Sequence, residues 1–314
     1  MKVFPRGVCS LLLLVLGGLS MNAAAEGEAP YSGSVGQNYP KEVFFGDTHL
    51  HTRNSADAWS MGNLNLTPGD AYRFAQGSPV LAHNGMQVQL RRPLDFLVVS
   101  DHAEYLGAFY RFNVNDSLIT KTDVGRQWQT YVEEGDLAKF FGAFVNSMRN
   151  PEEDPALPAA VRQTVWSGVA KTADRHNKPG VFTAFSGYEW TSMISGNNLH
   201  RVVVFKDDAD KVSQMIPFSG QDSLDPRDLW QALANYETAT GGEVLSIAHN
   251  GNLSNGMMFP DETVGGSPID EAYASLRARF ETVYEVTQVK GDGEAHPVLS
   301  PDDEFADFES WDWD

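Results

Sequence analysis

The sequence predicts an α/β fold built on a parallel sheet or barrel, and two features of the chain predict it. Short β-rich runs recur, each closed by a polar residue, and patterns of helical periodicity alternate with them. In chain order, residues 43–46 give the first strand. A helix follows over 68–75, opened by the possible cap Thr67, and the second strand is 96–100. Helical patterns over 125–133, 136–148 and 159–176 then lead to a third strand, 182–187, and a fourth, 201–205. A helix over 226–238 precedes the strand 244–248, and a helix over 268–279 precedes the last, 282–286. No internal repeat interrupts this order, and the only low-complexity feature is the acidic, aromatic stretch 302–314.

The start of the chain belongs to a different class of segment. Lys2 and Arg6, an apolar run over 8–19 and Ala23-Ala24-Ala25 before Glu26 make the three-part pattern of a secretory signal peptide, assigned to residues 1–25. That run is shorter than the roughly 20 residues needed to span a bilayer, and no later stretch is uniformly apolar, so no membrane anchor is expected. Cys9 is the only cysteine and lies within the run, so the processed chain would hold no disulfide despite an exported, periplasmic or secreted location. Residues 26–42, rich in Gly, Ser, Pro and Asn, read as a flexible leader, and 43–314 as one large domain. The chain has 23 basic and 42 acidic residues; with Lys2 and Arg6 removed, the remainder carries 21 and 42, a formal charge of −21. Such a field repels nucleic acid and anionic lipid and concentrates cations, so nucleic acid is not an expected partner.

The chemistry-bearing residues fall where ligand sites gather in α/β folds, at the carboxyl ends of strands. His49 and His51 follow the first strand, two apart, so that on an extended segment both rings leave the same face and can chelate one ion. Asp57 lies six residues on. Asp101 and His102 close the second strand; the carboxylate can orient a metal-bound imidazole or ligate, or it can cap the next helical turn. Glu189 follows the third strand and suits a bridging role, His200 precedes the fourth, and His249 ends the strand 244–248 before a glycine turn. Imidazole and carboxylate without thiolate suit Zn²⁺, Mn²⁺ or Fe²⁺. The set exceeds one tetrahedral site, so two or three ions are expected, which would clamp a phosphate ester and lower the pKa of a water between them.

In their order, these motifs resemble the PHP superfamily of polymerase and histidinol phosphatase domains, which are distorted seven-stranded β/α barrels around a trinuclear metal site. Closer still, residues 46–58, 95–102, 188–191, 198–201, 247–251 and 288–309 look like the bacterial domain-of-unknown-function family 3604, a resemblance covering nearly the whole processed chain. It implies a distorted (β/α)7 PHP-type barrel in which His49 and His51 ligate one metal, Asp57 and His102 a second, Glu189 bridges, and His200 and His249 hold a third. It also implies a late Asp-x-His, which is missing after His249. Asp174-Arg175-His176 has the letters but closes a helical pattern. The chain therefore reads as a C-terminally truncated member with an incomplete barrel.

The expected activity is hydrolysis of a small-molecule phosphoester, with Asp101 orienting and Lys290 or Arg201 on the phosphate. His296 shares the polar loop of Lys290, and His83 reads as surface on a hairpin-like stretch, 78–89. Two other readings remain at this level: an amidohydrolase-type amide or lactam hydrolase, and a catalytically inactive periplasmic metal-binding protein.

Overall fold

The computed structural model describes residues 41–153 and 155–293, with 297, 301, 302 and 304 beyond them. The expected signal peptide, nearly all of the expected leader, His296 and most of the acidic, aromatic stretch lie outside the described residues. The first part of the chain runs β1 (Gly46–Leu50), α1 (Ala56–Ser60), α2 (Pro68–Ala75), β2 (Val80–Leu81), β3 (Gln87–Val88) and β4 (Phe96–Val99). Five helices follow: α3 (Ala108–Asn113), α4 (Ser117–Thr120), α5 (Asp123–Glu133), α6 (Leu137–Arg149) and α7 (Ala159–His176). Then come β5 (Thr183–Trp190), β6 (Arg201–Phe205), α8 (Ala209–Val212), α9 (Pro226–Thr240), β7 (Val244–Ala248), α10 (Glu271–Phe280), β8 (Val283–Tyr284) and the hairpin β9 (Thr287–Gln288) and β10 (Gly291–Asp292). No helix among the described residues is long and apolar enough to cross a membrane.

Local chemistry sets the helix ends. Thr67 and Asp70 form a capping box, with Pro68 in the first turn of α2. Thr122, Asp136, Asp225 and Asp270 each accept a backbone N–H at the start of α5, α6, α9 and α10. The cap at Asp270 is why α10 starts later than its periodicity suggested. The stretch 78–89 forms the antiparallel pair β2 and β3, and His83 is exposed between them. The helix-terminus reading of Asp174 and His176 agrees with the end of α7.

Six strands form one mixed sheet, curled into a half-barrel, in the order β1-β4-β5-β6-β7-β8. A seven-stranded closed barrel is not what the described residues form: β1 and β8 are free edges. The expected all-parallel sheet also needs correction, because β6 runs antiparallel to both β5 and β7. The connection from β5 to β6 holds only a 3-10 turn, Ile194–Gly196, and without a crossover helix the chain can only return antiparallel. Pairing with β6 also carries β5 on to Trp190, so Glu189 lies within the strand rather than after it. Likewise β1 begins three residues later than expected, which places His49 inside it.

Alternation along each strand separates two environments. Phe96, Val98, Phe185, Val204, Leu245 and Ile247 face the concave side, where a cleft of about 510 Å³ opens. On the other face, Tyr188, Trp190, Val203, Phe205 and Val244 pack against α7, α8, α9 and α10 through Trp166, Val212, Leu229, Trp230 and Phe280. With both faces involved, the strands read as continuous apolar runs rather than alternating ones. A second core of Trp59, Tyr105, Phe109, Trp128 and Phe140 joins α1, α3, α5 and α6 beside the end of β4.

Candidate metal centre

Strand parity explains which polar side chains converge. Glu189 shares the parity of Phe185, His200 that of Val202 and Val204, and His249 that of Leu245 and Ile247, so all three face the concave side at one rim. Because β6 is antiparallel, the residue before its start reaches the rim that the ends of β5 and β7 occupy. Backbone hydrogen bonds continue the ladder through these positions: Ala103 N–H to Glu189 O at 2.8 Å, Glu189 N–H to Asp101 O at 3.1 Å and His249 N–H to His200 O at 3.4 Å.

Five imidazoles close a ring around the Glu189 carboxylate. Successive ring centroids are 5.1 Å apart for His49–His51 and 4.8 Å for His51–His102. They are 5.7 Å apart for His102–His200, 5.7 Å for His200–His249 and 4.1 Å for His249–His49. Glu189 Oε2 lies 3.2 Å from His49 Nε2 and 3.0 Å from His51 Nε2. Its Oε1 lies 2.6 Å from His200 Nδ1 and 3.0 Å from His249 Nε2. Asp57 reaches His102 Nε2 at 3.4 Å and His51 Nδ1 at 3.7 Å. All seven residues expected to ligate metal are thus brought together.

The outer nitrogens of three rings have partners that fix how the rings point. His49 Nδ1 is 2.9 Å from Glu285 Oε2, His51 Nδ1 is 2.8 Å from Ser55 Oγ, and His102 Nδ1 is 2.5 Å from Thr191 Oγ1. Ser55 in turn donates to Asp57 Oδ1 at 2.6 Å. With each Nδ1 engaged outward, Nε2 of each ring faces the Glu189 or Asp57 carboxylate, the arrangement by which outer partners orient metal-binding histidines. Two further ring nitrogens, His200 Nε2 and His249 Nδ1, are buried without a hydrogen-bond partner among the described residues. Orphans of this kind call for a water or cation to explain them.

Electrostatics around the ring follows from one carboxylate shared among five imidazoles. Burial pushes the Glu189 carboxyl up, but His102, His249 and the bond from His200 outweigh it and hold the group well below the usual carboxylate range. Burial depresses His49 as well, yet Glu189 and Glu285 raise it to about 10; for His102, Glu189 and Asp57 overcome burial and raise it to about 9. Burial prevails at His200 and His249, lowered to about 3 and about 4. Such a site holds protons where cations would sit, and four overlapping triads have the spacing for a metal ion. These are His49-His51-Glu189, His49-His249-Glu285, His51-Asp57-His102 and His102-Glu189-His200. The donor set of neutral imidazoles and carboxylates fits divalent transition metals.

The expected catalytic residues fare differently. Asp101 accepts from Thr52 N–H at 2.5 Å and from Thr52 Oγ1 at 2.7 Å, so it ties the segment after His51 to the end of β4 rather than orienting His102 or capping a helix. Burial raises it to about 6 against the opposing bonds from Thr52. Arg201 does not reach the site. It shares the parity of Val203 and Phe205, is 1% exposed, and donates Nε to Glu281 Oε1 at 2.8 Å between Trp190 and Trp230. Lys290 sits between β9 and β10, its carbonyl accepting from Asn252 Nδ2 at 3.0 Å, which tethers it to the loop after His249. Its amine makes no hydrogen bond to the ring among the described residues. Sequence reasoning missed Glu285 and Glu104. The first stands inside the 282–286 run, directly after β8 in the structure, and the second stands two residues after His102.

A family model described as "Protein of unknown function (DUF3604)" matches residues 38–314, and the chain belongs to that family. Comparison with curated proteins and with solved structures gives no match.

Proposed function

We propose that this chain is a metal-dependent hydrolase of the PHP type acting on a small-molecule phosphoester. The observation that carries the reading is the closed ring of five imidazoles about one buried carboxylate, with acceptors behind three of the rings turning Nε2 inward. His49, His51 and Glu189 would hold one ion, Asp57 and His102 a second, and His200 and His249 with Glu189 a third. Zn²⁺, Mn²⁺ or Fe²⁺ bound there would supply Lewis acidity toward a phosphoryl oxygen and a water of lowered pKa.

The chain's own groups divide the remaining work. Glu189 offers each of its oxygens to a different pair of rings, which suits bridging. His51, Asp57 and Glu285 keep 17%, 28% and 15% of their side chains exposed while His249 and Glu189 keep none, so substrate approaches from the former side. Lys290, on a hairpin tethered beside His249, is the candidate contact for a substrate anion. A formal charge of −19 disfavours nucleic acid as substrate. Export by the segment 1–25 belongs to the same proposal.

An amidohydrolase-type centre would place a lysine at the bridging position. Glu189 holds it here, which favours phosphoester over amide chemistry. The test is elemental analysis of the purified protein, with more than one transition metal per chain expected. It is joined by Mn²⁺-stimulated cleavage of an aryl phosphate, which replacing His49 and His51 together with alanine should abolish. Turnover unchanged in that variant, or preferential cleavage of lactams and amides, sinks the phosphoesterase reading. A chain that binds no metal sinks the hydrolase reading altogether.

A further inference from the structure

We infer that Glu104 is a positioning residue of the metal centre, acting through the Thr191 hydroxyl on the ring of His102; this rests on the metal reading above. Glu104 is fully buried. Its Oε1 accepts two backbone amides, Thr191 N–H at 3.2 Å and Gly220 N–H at 2.6 Å. Thr191 is thereby held by its backbone while its Oγ1 makes a hydrogen bond with His102 Nδ1 at 2.5 Å. The opposite nitrogen, Nε2, faces Asp57 Oδ2 at 3.4 Å, the other donor expected at that ion. Phe144 packs against the ring edge-on, 5.2 Å between centroids.

The loop that carries Gly220 is shaped for this contact. A Cβ on Gly220 would lie 2.5 Å from Thr191 O and 2.9 Å from Ser147 O, so only glycine lets this backbone come close enough to donate to Glu104. Glu104 Oε2 is buried without a hydrogen-bond partner among the described residues, so the two amide contacts leave half of the carboxylate unused. Removing the carboxylate leaves the amides of Thr191 and Gly220 unpaired, so E104L should lose stability as well as metal affinity, and the metal-free unfolding curves separate the two effects. Glu104 fixes the backbone of the residue whose hydroxyl meets a candidate ligand, and outer partners of this kind govern metal affinity.

The experiment is competition for Zn²⁺ between the full chain and a chromophoric chelator, with unfolding curves of each metal-free variant recorded in parallel. T191V keeps both amide bonds to Glu104 and removes only the hydroxyl; E104L removes the acceptor. Each should weaken Zn²⁺ binding about 10- to 100-fold, and the double variant should be no weaker than the weaker single one, since both cut the same chain of contacts. T191S and E104Q, which keep hydroxyl and acceptor, should restore affinity to within about threefold of the original. Unchanged affinity in E104L, multiplying losses in the double variant, or E104Q as damaging as E104L would each overturn the positioning role. Failure of the unsubstituted chain to bind Zn²⁺ would overturn the metal reading and this inference together. Tight binding shared equally by E104L would overturn this inference alone.

Discussion

Replacing Arg201 with methionine should cost the fold and spare the metal. The guanidinium is buried between Trp190 and Trp230, and donates from Nε to Glu281 Oε1 at 2.8 Å and from Nη1 to Leu199 O at 2.5 Å. Removing one partner of a buried ion pair costs about 3–5 kcal/mol because the other charge is left uncompensated. Here Glu281 keeps Arg277 Nε on Oε2 at 2.9 Å and Trp230 Nε1 on Oε1 at 2.9 Å, so the lower end, about 3 kcal/mol, is expected. In a domain of this size that lowers Tm by about 6–12 °C, at about 2–4 °C per kcal/mol. Thermal and denaturant unfolding measure it, and metal content per chain is read on the same preparations. E281M should be worse, since Arg201 then lies buried without its carboxylate, and combining the two should recover part of the loss. An R201M chain of unchanged stability that has lost metal or phosphate affinity would refute the assignment of Arg201 to the scaffold and return it to the site.

Gly220→Ala should destabilise by about 1–3 kcal/mol, because the new Cβ meets two backbone carbonyls that cannot rotate away, and should weaken Zn²⁺ binding by displacing Thr191; differential scanning calorimetry with chelator competition checks both. Metal binding should release protons near neutral pH, because His49 and His102 are raised to about 10 and about 9 from 6.5 in the metal-free chain. Raised folded values stabilise the metal-free fold fully below about 6.5 and lose that contribution as pH rises through about 9 to 10. The metal-free Tm should therefore fall over that window while metal affinity grows, and calorimetry in buffers of different ionisation enthalpy that detects no proton release refutes it. Thr67→Ala removes the capping box of α2 and should cost about 1 kcal/mol in denaturant unfolding without altering metal content.

Much of this was legible before any coordinates. The extents of α2 and α7, and of β6 and β7, follow from caps and apolar runs, and six of the seven candidate ligands stand out as polar residues beside strand ends, Asp57 lying on α1 instead. Parity, too, is a sequence property: His200 and Arg201 are adjacent on a strand and must face opposite sides, so only one of them can reach a shared site. Glu285 could have been found by applying the strand-end rule to the run 282–286.

What the linear order could not specify is direction, closure and the groups behind the ligands. An apolar run reads the same in a parallel or an antiparallel strand, and the turn between β5 and β6 decides that His200 arrives from the start of its strand. Hydrogen bonds such as Glu104 to Gly220, 116 residues apart, or His49 to Glu285, 236 apart, have no local signature, because they arise only once separate segments are packed together. The sequence determines which groups this protein can offer to a cation, since side-chain chemistry and strand parity are local. The tertiary structure decides which nitrogens face inward, because that depends on hydrogen-bond partners that only folding brings near.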